Sequence, residues 1–384
     1  MEKNWLIDLQ VHTIASDGRS TLDTILNEAR DKRISVLAIT DHDTIEGVSS
    51  ENLQAVSQRL ERGSVRRERK GIVRTDRFFV DNLIVIQGEE VSCKYRGKHG
   101  MHILAYFLDE KIVEGSDLGK HNLRMAYATP ERAKRMVEKF QQAGYRINFE
   151  EISQYAESPH AFNREFIARH LMDNNGERLE REIDEIRTRL TIEPGKKPPS
   201  DLKIVRDIIL GPDSPFYEDV SAYYKLPADQ SPIETEPAKF PTMEDAVRMI
   251  LECGGVPVLS HPGRYEDFID QREERSPVRY ASRVINRADL ARKPKILYRP
   301  EDVIRELKTA SRGLAGIEVF NPRHHKPHHV QLWGDLARKY NLVCTAGTDF
   351  HGGDDTLGVP VSDNIPMGLY DAHEKVQASI NKKI

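Results

Sequence analysis

The sequence predicts an α/β barrel that carries an inserted, mainly helical domain. Short apolar runs recur along the chain and lead into histidines and carboxylates, and amphipathic segments separate them. Side chains that follow the parallel strands of such a barrel meet at one end of it, so we expect a polar mouth there. This pattern stops between residues 120 and 240. We therefore predict barrel segments at residues 1–119 and 241–384, with the inserted helical domain at 120–240.

The first predicted strand places polar side chains at its carboxyl end. It runs from Trp5 to Val11, and Asp8, Gln10 and His12 fall on one face because side chains two apart in a strand point the same way. Ser16-Asp17-Gly18 follows as turn chemistry. One histidine at a strand end is weak evidence by itself, since such residues are commonly surface or core histidines.

Five further apolar runs repeat this arrangement. The second, third, fifth and sixth lead into ligand-type side chains, whereas the fourth is expected to begin with one. In chain order these side chains are Asp41-His42-Asp43, Glu89-Glu90, His102, His261, and Asp349 with His351. The recurrence, rather than any single residue, indicates a barrel whose mouth holds metal ions.

Composition describes an ordinary soluble surface, with 38% hydrophobic residues, 31% charged residues and a net charge of −4. Proteins that coat nucleic acid are usually basic, so we expect any nucleic-acid contact to be a local pocket. Neither a membrane span nor a signal-peptide core is present, which favours a cytoplasmic protein. Cys93, Cys253 and Cys344 are widely spaced and predict no disulfide framework and no thiolate metal site. Nothing in the sequence identifies a protein partner.

Helices are predicted where apolar residues recur at helical spacing. Thr21 is expected to cap a helix at residues 21–32, and Thr242 one at 243–253. Further helices are predicted at 51–62, 132–142, 164–172, 301–309 and 331–340. The arginine-dense residues 62–77 are interpreted as a solvated loop rather than an RNA-binding patch. Residues 174–215 and 266–299 are charged insertions, and the second is expected to be partly disordered.

The motifs, taken in order, resemble those of the PHP (polymerase and histidinol phosphatase) family. They are Asp8-Leu-Gln-Val-His-Thr with Ser16-Asp17-Gly18, Thr40-Asp-His-Asp43, Gly88-Glu-Glu-Val-Ser92, His102-Ile-Leu, Ser260-His-Pro-Gly-Arg-Tyr265, Gly316-Ile-Glu-Val-Phe320 and Gly347-Thr-Asp-Phe-His-Gly352. Residues 260–265 and 163–171 are most similar to the branch of nucleotide phosphatases and 5′-to-3′ exoribonucleases. The resemblance implies a distorted (β/α)7 TIM-like barrel and a hydrolase acting on nucleotides or short 5′-phosphorylated RNA.

The same resemblance implies a set of metal ligands. They are His12, Asp17, His42, Glu90, His102, His261, Asp349 and His351. Mixed imidazole and carboxylate donors suit Mn, Fe or Zn, and their number implies two or three ions with Glu90 bridging. The implied groups are His12 with Glu90 and Asp349, Glu90 with His102 and His261, and Asp17 with His42 and His351. Glu89 is kept as a lesser candidate for the position of Glu90.

Three further residues are implied to contact substrate. Arg264 is expected to clamp phosphate oxygens rather than form a loop salt bridge. Arg164 of the inserted domain is expected to make a second phosphate contact, with a helix-surface charge as the open alternative. His324 is expected to contact substrate or donate a proton. The neighbouring histidines at positions 325, 328 and 329 are expected to be exposed, and His99 to orient His102.

Gln10 departs from the usual Asp-x-His-x-His motif of the family. A glutamine carbonyl is a weaker donor than imidazole, so the first metal site should bind less tightly than its neighbours. Two outcomes stay open: an enzyme that needs excess metal, or a module that binds phosphoesters or regulates without efficient hydrolysis. An amidohydrolase would also use a barrel, but strand one has no His-x-His and the Asp-Phe-His ending is foreign to that group.

Overall fold

The computed structural model describes residues 5–49, 51–53, 55, 66–70, 75–80, 83–190, 198–212, 214–224, 239–264, 298–309, 313–353, 355–362 and 364–381. Most of the predicted helix at 51–62 and of the charged insertion at 266–299 lies outside these residues. The chain forms two compact units. The first comprises Met1–Leu123, Lys239–Ile269 and Leu297–Ile384, and the second Arg124–Ala238 and Asp270–Ile296.

A single mixed sheet of ten strands forms the first unit within the described residues. The strands are β1 Trp5–Val11, β2 Val36–Ile39, β3 Arg66–Lys70, β4 Thr75–Val80, β5 Leu83–Tyr95, β6 Lys98–Tyr106, β7 Val256–Leu259, β8 Gly316–Phe320, β9 Val343–Ala346 and β10 Val359–Val361. The main order is β10-β1-β2-β5-β6-β7-β8-β9, and β4 pairs with both β3 and β5.

The sheet curves into a nearly closed barrel. Strands β1, β2 and β5 are parallel neighbours, as are β7, β8 and β9, while β6 runs antiparallel to β5 and β7. The segment after β9 approaches the end of β1, where the Phe350 N–H donates to the Gln10 carbonyl (3.1 Å) and the His12 N–H donates to the Phe350 carbonyl (2.9 Å). The predicted α/β barrel is confirmed.

The close approach at this seam requires a glycine. A Cβ atom on Gly347 would lie 2.6 Å from Cβ of Gln10 and 2.7 Å from Oε1 of Glu318. No side chain fits in that space without displacing its neighbours. The Gly-Thr-Asp sequence after β9 therefore brings Asp349 directly against β1.

Two expectations about strands were wrong. His102 lies inside β6 opposite Ser92 rather than beginning the strand, because β6 is antiparallel and reaches the mouth from its middle. Part of the arginine-dense segment, expected to be a loop, forms the β3–β4 hairpin, and Phe78-Phe79-Val80 pairs with β5. Backbone pairing with the free edge of β5 outweighs the charged composition here.

Eleven α-helices occur within the described residues. They are α1 Leu22–Asp31, α2 Glu110–Glu114, α3 Asp117–Gln142, α4 Phe149–Ser153, α5 Arg164–Asn174, α6 Gly176–Arg189, α7 Asp201–Ile204, α8 Met243–Glu252, α9 Pro300–Thr309, α10 Pro327–Lys339 and α11 Asn364–Asn381. The predicted helices at 21–32, 164–172, 243–253, 301–309 and 331–340 are confirmed with shifted ends. The one predicted at 132–142 is the last part of the longer α3.

Each unit has its own apolar core. In the first unit Val247 and Ile250 of α8, Ile304 of α9 and Trp333 of α10 are buried against the strands. In the second unit, a cluster that includes Phe140, Leu171, Ile183 and Val205 joins α3, α5 and α6 to the segment after α7. The described part of the charged insertion at 174–215 thus contributes helices to this core.

No helix in the described part of the chain is both long and apolar enough to cross a bilayer. The three cysteines are free thiols, which confirms that they form no disulfide framework. Cys93 and Cys253 are buried.

The cap of α8 gives a test of local stability. The Thr242 hydroxyl accepts from the Asp245 N–H (3.1 Å), and the Asp245 carboxylate accepts from the Thr242 N–H (3.0 Å). We expect Thr242→Ala to lower the free energy of unfolding by about 1 kcal/mol, because one N–H of the first turn loses its acceptor. Denaturant unfolding monitored by circular dichroism measures this. Thr242→Ser keeps the hydroxyl and is the control; an equal loss in both variants would contradict the capping role.

Candidate metal centre

The eight predicted ligands come together at the barrel mouth of the first unit. Their positions in the chain are His12 and Asp17 after β1, His42 after β2, Glu90 in β5, His102 in β6, His261 after β7, and Asp349 and His351 after β9. Six separate chain segments thus supply one cluster. This convergence follows from the barrel, since the carboxyl ends of its parallel strands share one rim.

Glu90 lies at the middle of the cluster and is fully buried. Its Oε1 atom is 2.9 Å from Nδ1 of His102 and 2.8 Å from Nε2 of His261. Its Oε2 atom is 3.2 Å from Nε2 of His12 and 3.8 Å from Nε2 of His42. Burial opposes ionisation, but the surrounding imidazoles hold the pKa of this carboxyl well below its usual range. Glu90 is therefore a charged carboxylate with both oxygens facing nitrogen donors.

A second set of contacts surrounds Asp17. Its Oδ2 atom lies 3.2 Å from Nε2 of His351 and 3.6 Å from Nε2 of His42. Its Oδ1 atom lies 3.5 Å from Nδ1 of His12. Desolvation opposes ionisation of the partly buried Asp17, but the charges of His351 and His42 lower its pKa. The Nδ1 atom of His12 thus faces Asp17, whereas its Nε2 atom faces Glu90.

Asp349 completes the surroundings of His12. Its Oδ1 atom lies 3.3 Å from Nε2 of His12, and its Oδ2 atom lies 2.7 Å from Nε2 of His324. Burial lowers the pKa of His12, but Asp349 and Glu90 raise it well above the usual value. The same negative field favours any cation placed between these groups.

Two ligands occupy the left-handed region of backbone space that few non-glycine residues adopt. The φ angles are 56° for Asp349 and 23° for His261. The Arg323 guanidinium donates to the Asp349 carbonyl (2.6 Å), and the His261 N–H donates to Oε2 of Glu318 (2.8 Å). Polar contacts therefore hold both ligands in a conformation that costs about 1–3 kcal/mol each.

The donor chemistry fits divalent metals. Three groups have ligand atoms within 4.8 Å of one another: His12 with Glu90 and Asp349, His42 with Glu90 and His102, and His12 with Asp17, His42 and His351. Both ring nitrogens of His12 are buried and form no well-aligned hydrogen bond among the described residues. A cation between His12 and these carboxylates would supply the missing partner. Imidazole and carboxylate donors without thiolate suit Mn, Fe or Zn.

These three groups agree in part with the metal-ligand groups that the family resemblance implied. The first implied group is one of the three, and the third is present with His12 added. In the second, His42 replaces His261, although His261 contacts the same Glu90 oxygen as His102. His42 thus lies between two groups, which the sequence did not indicate.

The side-chain amide of Gln10 forms hydrogen bonds with other side chains of the protein. Its Nε2 donates to Oε2 of Glu90 (3.0 Å) and to Oγ of Ser260 (3.2 Å), and its Oε1 accepts from Nδ2 of Asn321 (3.3 Å). Only a donor can face the Glu90 carboxylate, which fixes the orientation of the amide. The carbonyl expected to be a weak metal donor points instead to Asn321. Gln10 therefore holds a ligand rather than acting as one.

Two buried carboxylates of the strand motifs organise loops. Asp8 accepts from the Thr348 N–H (3.0 Å), the Thr348 hydroxyl (2.7 Å) and the Gly358 N–H (2.9 Å). Asp41 accepts from the Thr13 N–H (2.7 Å) and the Ser16 hydroxyl (2.6 Å). The sequence placed Asp8 and Asp41 among the metal-type residues, whereas both fix the loops that carry ligands.

Glu89 faces away from the cluster. It accepts from Nδ2 of Asn122 (2.7 Å), and burial raises its pKa to about 8. Successive residues of a strand point to opposite faces, so Glu89 and Glu90 cannot share this site. The geometry therefore favours Glu90 over Glu89.

The residues implied to bind substrate lie in both units. Arg264 is exposed on the short 3₁₀ turn Pro262–Arg264. Burial lowers the pKa of His261 to about 3, and the Arg264 charge adds to this effect. Arg164 begins α5 in the second unit. There burial lowers the pKa of Arg132 to about 10, and the charge of Arg164 lowers it further.

The histidines near residue 325 differ from expectation. His325 is half-buried rather than exposed, because its ring binds the Gly263 N–H (3.1 Å) and the Val319 carbonyl (2.7 Å). His328 is exposed, as expected, while His329 is partly buried in the first turn of α10. The side chain of His99 lies outside the described residues.

No established family profile matches the chain. Two relatives align over 347 residues, or 90% of the chain. A phosphoribosyl 1,2-cyclic phosphate 1,2-diphosphodiesterase of Eggerthella lenta is 24% identical, with 94% of its length covered. A 3′,5′-nucleoside bisphosphate phosphatase of Chromobacterium violaceum is 25% identical, with 87% covered. Both names describe hydrolysis of phosphate esters.

Two solved structures share the fold. An amidohydrolase of Chromobacterium violaceum, solved with sulfate and without metal, has a TM-score of 0.60 at 22% identity and covers 96% of each chain. A candidate metal-dependent phosphoesterase of Bifidobacterium adolescentis has a TM-score of 0.60 at 19% identity and covers 98% of this chain and 97% of its own. At such identities they support the barrel fold alone.

The comparisons bear out the expected enzyme class. The two relatives are phosphoester hydrolases aligned over 90% of the chain, and their similarity agrees with the cluster of metal-type donors. The narrower resemblance to exoribonucleases stays a prediction. The chain is an enzyme of the phosphoester hydrolase class, similar to a cyclic phosphate diphosphodiesterase and a nucleoside bisphosphate phosphatase.

Proposed function

We propose that this enzyme hydrolyses phosphate esters of nucleotides or of short 5′-phosphorylated oligoribonucleotides, with two or three divalent ions held by the eight ligands. The observation that carries the proposal is Glu90, a buried carboxylate contacted by four imidazoles, with Asp17 and Asp349 beside them. When bound, divalent Mn, Fe or Zn supplies water of lowered pKa and neutralises phosphoryl charge.

Arg264 provides the proposed phosphate contact. Its guanidinium is exposed, forms no ion pair with a described residue, and lies near enough to His261 and His324 for its charge to lower their pKa values. A planar guanidinium matches two phosphate oxygens at once. Arg264 is therefore placed to bind the phosphoryl group beside the ligand cluster.

His324 has a defined orientation. Its Nε2 must donate to Oδ2 of Asp349 (2.7 Å), because a carboxylate only accepts. Burial lowers the pKa of His324, so the ring is neutral near pH 7 and Nδ1 carries a lone pair. Of the two roles left open by the sequence, contact with substrate or water through Nδ1 fits this tautomer better than proton donation.

Three observations support a small phosphoester as substrate. The chain has a net charge of −4, whereas proteins that coat nucleic acid are usually basic. The relatives' names specify a cyclic phosphate and a nucleoside bisphosphate. In the second unit, the charge of Arg164 contributes to the lowered pKa of Arg132, and we propose that Arg164 contacts a second phosphate. We also propose a cytoplasmic location, where nucleotides are available.

A substrate panel tests the proposed function. Phosphate release from AMP, a 3′,5′-nucleoside bisphosphate, a cyclic phosphate and a 5′-phosphorylated oligoribonucleotide is compared with turnover of amide substrates, at saturating Mn²⁺. We expect release from at least one nucleotide or oligoribonucleotide and no amide turnover. Tight binding of these compounds without hydrolysis would favour the alternative, a PHP module with a binding or regulatory role. Amide turnover alone would exclude the proposal.

The ligand assignment predicts loss of metal. We expect His42→Ala and His261→Ala each to abolish phosphate release and to lower metal content, because a nitrogen beside Glu90 is removed while the apolar core is untouched. Elemental analysis, activity and thermal unfolding measure these effects. His328→Ala changes an exposed histidine and is the matched control. Near-normal turnover with normal metal content in either ligand variant would reject the assignment.

Arg264 is predicted to stabilise the transition state. We expect Arg264→Ala to reduce kcat/KM by an amount equivalent to about 2–4 kcal/mol, as for other charge-stabilising donors in active sites. Metal content should stay unchanged. Arg338→Ala removes an arginine whose side chain is 80% exposed on α10 and serves as the control. An unchanged kcat/KM would remove Arg264 from the phosphate site.

Gln10 is predicted to limit metal binding. Its amide N–H donates to the Glu90 oxygen that faces His12 and His42, so this oxygen is shared with a neutral donor. We expect Gln10→His to increase metal content at limiting Mn²⁺, because imidazole is a stronger donor than a carboxamide. Gln10→Leu, which has no polar atom, is the control. If Gln10→His increases neither metal content nor activity, Gln10 does not limit the site.

A further inference from the structure

His325 sits beneath the turn that carries Arg264. Its Nδ1 lies 2.7 Å from the Val319 carbonyl oxygen, and the Gly263 N–H points at its Nε2 from 3.1 Å. A carbonyl only accepts and a backbone N–H only donates, so Nδ1 must carry the proton and Nε2 the lone pair. The ring is therefore a neutral imidazole in one defined tautomer, bonded at both nitrogens.

The turn rests directly on this ring. A Cβ atom at Gly263 would lie 2.5 Å from Cδ2 of His325 and 2.8 Å from Nδ1 of His329. The turn closes through the Arg264 N–H to the His261 carbonyl (2.9 Å), and His261 has a φ of 23°. A strained backbone conformation persists only where surrounding contacts impose it.

The same short segment reaches the metal centre. The backbone N–H groups of Arg323 and His324 both donate to Oδ1 of Asn321 (3.1 Å), and His324 Nε2 donates to Asp349. Adjacent residues thus point in two directions, His324 to a ligand and His325 to the Arg264 turn. The position of Arg264 relative to the ligands is set through this segment.

We propose that His325 is a positioning residue for phosphate binding, which it controls by holding the Pro262–Arg264 turn through the Gly263 N–H. The proposal rests on the proposed function, in which Arg264 binds the phosphoryl group. His325 itself touches neither substrate nor metal in this account. Its imidazole connects β8, through the Val319 carbonyl, to the loop after β7.

Substitutions of His325 can remove one of the two hydrogen bonds of its ring and keep the other. In His325→Asn the amide nitrogen replaces Nδ1 and donates to Val319, but nothing reaches Gly263. In His325→Gln the longer side chain places an acceptor oxygen near the position of Nε2 and restores the bond to Gly263. A residue with a merely structural role would respond to both changes through stability and metal content alone.

The test is binding of inorganic phosphate to the metal-loaded full chain, measured by calorimetry for the wild type, both His325 variants, Arg264→Ala and the double variant His325→Asn/Arg264→Ala. We expect His325→Asn to weaken phosphate binding about tenfold, as for the loss of one hydrogen bond, and His325→Gln to recover most of it. In the Arg264→Ala background, His325→Asn should have no further effect. Metal content should be the same in all five proteins.

Other results of the phosphate-binding experiment would refute the role of His325, the role of Arg264, or both. If Arg264→Ala weakens phosphate binding but His325→Asn does not, the inference about His325 fails and the proposed phosphate site stands. Equal effects of His325→Asn in both backgrounds also refute it. If Arg264→Ala has no effect, both the proposed clamp and this inference fall. Hydrogen exchange of the Gly263 amide gives an independent measure: it should be faster in His325→Asn than in His325→Gln, and equal rates would overturn the proposal.

Discussion

The barrel mouth is organised around one buried negative charge. Moving a carboxylate out of water costs several kcal/mol unless partners replace its hydration. Glu90 is fully buried and has His12, His42, His102 and His261 around its two oxygens. These imidazoles come from four different segments, so the strands must converge in this order for the charge to be tolerated. The antiparallel direction of β6 is part of this arrangement, because it brings His102 to the cluster from the middle of a strand.

Strain and polar support occur together around the centre. Asp43, His261 and Asp349 have positive φ angles, and each lies in a loop directly after a barrel strand. Each has a polar partner: His121 contacts Asp43 (2.9 Å), Glu318 accepts from His261, and Arg323 donates to Asp349. Such conformations persist only where surrounding contacts impose them. The surrounding polar groups are therefore as necessary to the geometry of the site as the ligands themselves.

Gln10 and Asn321 show how a neutral residue changes a metal-type site. The Gln10 amide donates to Glu90 and accepts from Asn321, and Asn321 also holds the backbone of Arg323 and His324. One amide pair thus links the central carboxylate to the segment that carries His324 and His325. The position that departs from the family motif orients a ligand instead of providing one. Its effect on metal affinity is transmitted through Glu90.

The sequence by itself determined the barrel and the composition of its site. Apolar runs that lead into His, Asp or Glu are a local signal that predicted the barrel and its polar mouth, and the resemblance to a known family implied that His12, Glu90 and Asp349 are neighbours. Only the tertiary structure decided the direction of β6, the hairpin formed by the arginine-dense segment, and the partners of Gln10 and His325. The contacts of Gln10 with Glu90 and of His325 with Gly263 join segments far apart in the chain, and the spacing of apolar residues does not show which strands pair or in which direction. Spacing shows which residues can meet at a rim, but hydrogen bonding in three dimensions decides which of them face the centre and which hold the others in place.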